Sequence, residues 1–350
     1  MGKKIIKTNY QNLRDFDPLS FYKQKNNYNR IYFLLKYAIL APSTHNTQPW
    51  LFKIESENCK IFIDPNRLLP ESDPENRDLY ISLGCSVQNL VEAAKIYGIF
   101  KSVSFYPKSK NLVADIYFKN VLTNKKKLDK KSLVIIKAIK NRKNSRGFFI
   151  NKNIDKIILN KLRHLSLSDV IQVDFINKAE KIKIIAELTS ESILKMYGIK
   201  QFRKELSSWI NNNLSKRREG IPGYSLKFST LVSFFFPFIT RNFNIGKLVA
   251  KLNYSSINSA PLICLLSTKN NTPEDWFKIG LLSEKIFIKC TQVGLSTSIS
   301  VAALEVRSIR GLLKKKLGLM TNPQFIINIG YMKPNNFYTP RLLVKNKLIK

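Results

Sequence analysis

The chain has 350 residues, 44% of them hydrophobic, which is enough to bury a full core and too apolar for wholesale disorder. Its 59 lysines and arginines against 24 acids give a formal charge of +35, which attracts polyanions and acidic membrane surfaces. Most of that charge is dispersed lysine, and no zinc-finger spacing, RNP-type aromatic motif or heptad-linked basic region is present, so no specific nucleic-acid partner is expected.

The basic start, Met1-Gly2-Lys3-Lys4, leads into no apolar signal core, and Ile6 breaks the N-myristoylation pattern. The first twenty-odd residues read as polar and irregular. Apolar spacing then predicts a helix over 30–40, stopped by Ala41-Pro42. Strands are predicted at 50–54 and 60–63, a helix over 79–98, and strands near 103–106 and 112–118. A charged connector follows at 123–131, and the boundary between two halves is placed there, 1–130 and 131–350.

The second half repeats part of this plan. GCSVQNLVEAAKIYGI begins at Gly84 and GLLSEKIFIKCTQVGL at Gly280, each reaching a second glycine, Gly98 or Gly294, at the same separation. Each follows an acidic and aromatic stretch and precedes strand-like segments, the last ones at 114–118 and 325–329. Residues 196–252 stand out as an insertion, with a polar helical run at 202–216, a turn at 219–223 and the most apolar window, LVSFFFPFI at 231–239. That window is about half a bilayer span, so no transmembrane helix is expected, while peripheral membrane contact stays open. Cys59, Cys85, Cys264 and Cys290 form no CxxC pair and there are two histidines, so no metal site is expected and a reducing cytoplasm fits best.

Two runs carry chemistry. In Ala41-Pro42-Ser43-Thr44-His45-Asn46-Thr47-Gln48-Pro49-Trp50 a polar loop is held between two prolines and then enters a strand. Such a loop suits the edge of a planar heterocycle, although a capped helix end followed by a turn explains it equally. In Asn141-Arg142-Lys143-Asn144-Ser145-Arg146 the arginines fall at i and i+4, on one face if the preceding helix continues. Two guanidinium groups flanking a serine hydroxyl suit a phosphate, and a solvated basic helix end is the other reading.

The first run resembles the APSxxNxQPW signature of the nitroreductase superfamily, with every fixed position present, and the second resembles that family's RRSxR-type motif. The match looks like the long, single-chain Acg-type branch, and covers about residues 30–345. It is supported by Asp64-Pro65-Asn66-Arg67, Asp73-Pro74-Glu75-Asn76-Arg77, Glu205-Leu206-Ser207-Ser208-Trp209, Gly220-Ile221-Pro222, Ser259-Ala260-Pro261, Gly330-Tyr331 and Thr339-Pro340-Arg341. The resemblance implies an α/β (α+β) nitroreductase fold, with two half-repeats packed as an intramolecular pseudo-dimer and a helical lid at 196–252.

The same resemblance implies one FMN, held by Ser43, Thr44, His45, Asn46 and Gln48 from the first half and by Arg142, Ser145, Arg146 and Arg341 from the second. No APS loop follows the arginine motif, so one complete site is expected, between the halves. Backbone amides at 298–303 are the family-based guess for the flavin N5 region, and no side chain is required as acid or base. The implied activity is NAD(P)H-linked reduction of a small electron-poor acceptor, by a monomer or a homodimer. Two alternatives stand beside it. One is an FMN-storing protein with a closed lid. The other is a basic nucleic-acid- or membrane-surface-binding protein that kept the fold without cofactor.

Overall fold

The computed structural model describes residues 13–106, 109, 111–120, 128–165, 168–335 and 337–349. The basic start with Ile6, and residues 123–127 of the charged connector, lie outside them.

Helix α1 (Asn27–Ala38) starts where the Asn26 side chain accepts the Asn29 amide at 2.8 Å, and it buries Ile31, Phe33, Leu34, Leu35 and Tyr37. It ends ahead of Pro42. Then come β1 (Trp50–Ile54), β2 (Asn58–Ile63), the 20-residue helix α2 (Arg77–Ile96), β3 (Phe100–Phe105) and β4 (Leu112–Phe118). These strands form one antiparallel sheet in the order β1-β2-β4-β3.

Beyond the connector lie α3 (Lys130–Asn141), α4 (Lys156–Leu165) and β5 (Ile171–Ile176). A long excursion follows: α5 (Ala179–Gly198), α6 (Lys200–Trp209), short strands β6 (Ile210–Asn211) and β7 (Ile221–Pro222), α7 (Thr230–Asn242) and α8 (Gly246–Asn258). The chain returns through β8 (Leu262–Thr268), the 20-residue α9 (Pro273–Gln292) and β9 (Ser296–Ile299). It continues through α10 (Ala302–Glu305) and α11 (Arg307–Leu317) to β10 (Asn322–Gly330). The second antiparallel sheet has the order β5-β8-β10-β9.

Replacing β1, β2, β4 and β3 by β5, β8, β10 and β9 turns the first order into the second. In both, a 20-residue helix follows the second strand of the set. The two helices lie against each other, and the main apolar core draws on both sheets, from Trp50 and Ile61 to Cys264 and Ile327. All four cysteines are free and buried.

Two local expectations change, and one feature is new. The opening segment is not merely polar: Phe21, in a short 3-10 turn, and Arg14 are both buried. The helical run expected over 202–216 stops at Trp209, because Ile210 and Asn211 pair in parallel with Ile221 and Pro222. The C-terminal segment crosses to the first sheet. There the Phe52 amide donates to the Lys347 carbonyl at 2.8 Å and the Ile349 amide to the Phe52 carbonyl at 2.9 Å. That crossing carries Arg341 to the polar loop.

Candidate functional site

The loop between the prolines is closed by its own serine, whose Oγ accepts the Gln48 amide at 2.9 Å. His45, Asn46 and Gln48 all take positive φ, at 50°, 57° and 55°. Each costs about 1–3 kcal/mol, so the surroundings must hold the shape. They do so through side chains. Asn46 Nδ2 donates to the carbonyls of Gly220 and Pro340, both at 3.1 Å. Gln48 donates to the Arg218 carbonyl at 2.8 Å and accepts the Leu342 amide at 2.8 Å. Thr44 turns toward Asp78, with Oγ1 to Oδ2 at 3.4 Å, and His45 Nε2 lies 3.1 Å from the Ser72 hydroxyl.

Behind the loop sits a buried knot of charge. Arg341 Nη1 donates to Asn46 Oδ1 at 2.8 Å and to Thr339 Oγ1 at 2.7 Å, and its Nη2 to the Ala41 carbonyl at 2.9 Å. Arg142 Nη2 donates to the Leu40 carbonyl at 2.6 Å. Arg14 donates to the Lys140 carbonyl at 2.5 Å and lies 4.4 Å over the Tyr338 ring. One carboxylate answers them, Glu284 of α9, with Oε1 3.1 Å from Arg142 Nε. That is ion-pair distance, yet neither atom makes an aligned hydrogen bond, and Arg341 Nε also has no hydrogen-bond partner among the described residues.

All four side chains are at least nine-tenths buried. Burial pushes the Glu284 carboxyl above its ordinary value, against the pull of Arg142. Burial, then the charge of Arg142, lowers Arg14 to about 9, and burial lowers Arg341 well below the ordinary arginine value. Three guanidinium groups against one carboxylate leave an excess of buried positive charge.

The second run does not continue the helix. α3 ends at Asn141, and Arg142 has ψ 131°, so Arg142 and Arg146 do not share a helical face. Tertiary pairing prevails over helical continuation: Asn144 bridges Thr297 of β9, and the Ser145 amide donates to the Thr297 carbonyl at 2.7 Å. Arg142 turns inward. Arg146 is exposed, but its charge reaches His45, which burial and then Arg146 lower to about 4. The 298–303 segment leaves β9 beside Ser145, and there the Ser300 hydroxyl accepts Asn328 Nδ2 at 2.7 Å.

Ser43, Asn46, Gln48, Arg142 and Arg341 are therefore brought together. His45 and Arg146 stand as neighbours, Ser145 is anchored on β9, and Thr44 faces a separate acid cluster of buried Asp73 and Asp78 with half-buried Glu305. Burial, then Asp78, raises Asp73 in that cluster to about 7.

Sequence reasoning missed Arg14 and Glu284. Glu284 left a signal, since it lies on the Gly280–Phe287–Ile288 side of α9 and puts a charge in an otherwise uncharged stripe. Also missed were the contacts made by the excursion. Glu219 meets Arg67 Nη1 at 2.5 Å, and Glu205 accepts the amides of Glu71 and Ser72, both at 2.9 Å, with the Ser72 hydroxyl at 2.6 Å. A cavity of about 270 Å³ lined by Gln172, Asp174, Lys178 and Leu317 shares no residue with this site.

No family model matches the chain. A Mycobacterium tuberculosis protein carrying the name NAD(P)H nitroreductase Acg is 23% identical over 301 residues, 84% of this chain and 86% of the relative. A second M. tuberculosis protein named as an NAD(P)H nitroreductase, Rv3131, is 33% identical over 78 residues, 22% of this chain and 23% of its own length. The solved FMN-dependent nitroreductase NfnB from Mycobacterium smegmatis, in complex with NADPH, aligns with 62% of this chain and 97% of its own, at 14% identity and TM-score 0.40. The similarity to Acg thus runs along most of this chain, and the APSTHNTQPW loop is intact.

Proposed function

We propose that the chain binds one FMN and works as an NAD(P)H-linked oxidoreductase acting on a small electron-poor acceptor. One observation carries the reading: Arg142 and Arg341 are buried against the polar loop that Asn46 and Arg341 tie together at 2.8 Å, with Arg14 buried beside Arg142 and Glu284 as the one counter-charge among the described residues. A phosphate dianion brings that knot to neutrality, and Arg341 Nε, which has no hydrogen-bond partner among the described residues, is a donor of the right kind.

Bound flavin supplies the two-electron chemistry that no side chain here possesses. The chain's own contribution is position and field. Ser43, Asn46 and Gln48 hold the loop in its positive-φ shape along the cofactor. His45, kept neutral, and Arg146 border its edge, and Ser145 together with 298–303 lines the β9 side. The cofactor is held where the halves 1–130 and 131–350 meet, each contributing one part of a single site. The matching strand orders of the two sheets support that internal pseudo-dimer. An absorption spectrum of the purified protein, followed by anaerobic titration with NADPH and NADH, tests the proposal. Protein that stays colourless after incubation with FMN overturns it.

A second reading, storage of FMN under a closed lid at 196–252, is favoured by a specific set of contacts. The Arg218 and Gly220 carbonyls hold Gln48 and Asn46, Glu219 holds Arg67, and Glu205 holds Ser72. Bound flavin that remains oxidised under both nicotinamide donors selects storage over turnover.

A further inference from the structure

Helix α7 is inside out. It buries Ser233 and Thr240 completely, while Leu231, Phe234, Phe235 and Phe238 are 71%, 49%, 58% and 62% exposed. Those four recur at helical spacing and make one stripe. Phe243 and, on α8, Leu248 and Leu252 are also more than half exposed. The inward serine is satisfied, accepting the Asn213 amide at 3.0 Å and donating to the Thr230 carbonyl at 2.6 Å. The Thr240 hydroxyl has no hydrogen-bond partner among the described residues. Phe236 alone of the helix's phenylalanines packs inward, against Phe228 at 4.4 Å between ring centroids, so most of the helix's aromatic surface faces water, the reverse of what a solvent-facing helix requires.

The charge around this stripe is of one sign. From Gly220 to Pro273 the chain has no aspartate or glutamate. Arg241, Lys247 and Lys251 are exposed beside the apolar side chains, and none makes an ion pair with a described residue. Lys247 and Lys251 share the i,i+4 spacing of Leu248 and Leu252, so cations and apolar groups alternate along α8. With 13 residues and Pro237 inside it, α7 is too short to cross a bilayer. Its form suits lying in the interface, rings among the acyl chains and cations at the headgroups.

We infer that the α7–α8 face docks on an anionic phospholipid bilayer, with Leu231, Phe234, Phe235 and Phe238 inserted and Arg241, Lys247 and Lys251 at the headgroups. The net charge of +35 favours the same surface at longer range. The inference does not depend on flavin binding.

The test is sedimentation of the full-length protein with vesicles of phosphatidylcholine alone and with about one-third phosphatidylglycerol. Binding is expected to the mixed vesicles, weakened by salt, and not to the neutral ones. The triple change Phe234→Ser, Phe235→Ser, Phe238→Ser is expected to weaken binding at least ~tenfold, as is Arg241→Glu with Lys247→Glu and Lys251→Glu. Thermal unfolding checks that each variant folds. Phe235→Trp, a single change, is expected to show blue-shifted fluorescence quenched by brominated lipid. Three results would overturn the inference. One is no binding to the anionic vesicles. Another is triple-serine protein that binds as well as the parent, which leaves only diffuse charge. The third is a self-associated parent that the serine changes convert to monomer, which makes a second copy the true cover.

Discussion

Gly84 and Gly280 meet where α2 crosses α9, and their surroundings are reciprocal. A Cβ on Gly84 would stand 2.2 Å from the Phe277 carbonyl oxygen, and one on Gly280 would stand 2.1 Å from the Ile81 carbonyl oxygen. Each glycine thus faces the carbonyl three residues before the other. The same two residues open the Gly-to-Gly runs of the two halves, so this crossing is where equivalent positions of the repeat touch. Neither carbonyl belongs to a side chain that can swing away.

Gly84→Ala should therefore force the two long helices apart and destabilise the protein by about 3 kcal/mol or more, the upper part of the range for overpacking. Gly280→Ala should match it. Urea unfolding of both variants checks this, with Gly311→Ala as control, since a Cβ there meets nothing within 4 Å.

Arg341 touches the loop at Asn46 and Ala41 and adds charge to the knot around Glu284. Arg341→Met should lower FMN affinity by at least ~100-fold, because charge-assisted contacts are each worth about 1.5–3 kcal/mol. Arg341→Lys should rescue little, since one ammonium cannot span Asn46 Oδ1 and the Ala41 carbonyl together. Fluorescence titration with free FMN reads both values. Retention of parental affinity by the methionine variant would remove Arg341 from the cofactor site.

The polar loop was legible because prolines, positive-φ residues and amides leave their mark within ten consecutive positions. The long helices were legible through their glycines, and β1 and β4 were found with their observed bounds. The shape of the arginine segment was not. Helical spacing put Arg142 and Arg146 on one face, but the Ser145–Thr297 hydrogen bond draws the chain into an extended path, and spacing says nothing about a pairing so distant in sequence. Arg14 was hidden for the same reason, its role coming from the Lys140 carbonyl and the Tyr338 ring. In α7 the rule that apolar stripes face inward fails for most of the helix: Phe236 packs inward, but the fully buried positions are Ser233 and Thr240 while Leu231, Phe234, Phe235 and Phe238 face out.

His45 should make stability depend on pH. Its folded value, about 4, lies below the ordinary 6.5, so the unfolded chain binds the extra proton first as pH falls. Its contribution is complete above pH 6.5 and is lost progressively down to about pH 4, at no more than about 1.4 kcal/mol per pH unit. Asp73, raised to about 7, pulls the opposite way, since its protonated form is favoured in the fold and its contribution fades as pH rises. The informative quantity is thus the difference between the parent and His45→Asn. Urea midpoints measured from pH 7 to pH 4.5 should converge as pH falls, and parallel curves would show that His45 titrates normally.

The contacts between the excursion and the loop predict how tightly the site is shut. Glu205 holds Ser72 and Glu71 through three hydrogen bonds, and Ser72 in turn meets His45. Glu205→Ala removes both acceptor oxygens, and with them all three hydrogen bonds, at a partly exposed position, which should loosen α6 without unfolding the core. If 196–252 acts as a lid, that change should speed FMN release roughly tenfold, equivalent to about 1.4 kcal/mol of lost closure. Reduction by NADPH should accelerate in parallel, because the same opening admits the donor. Glu205→Gln keeps one acceptor oxygen and should fall between the two. Stopped-flow traces of flavin bleaching and release decide the matter: equal rates in all three proteins would mean that entry and exit do not pass beneath this segment.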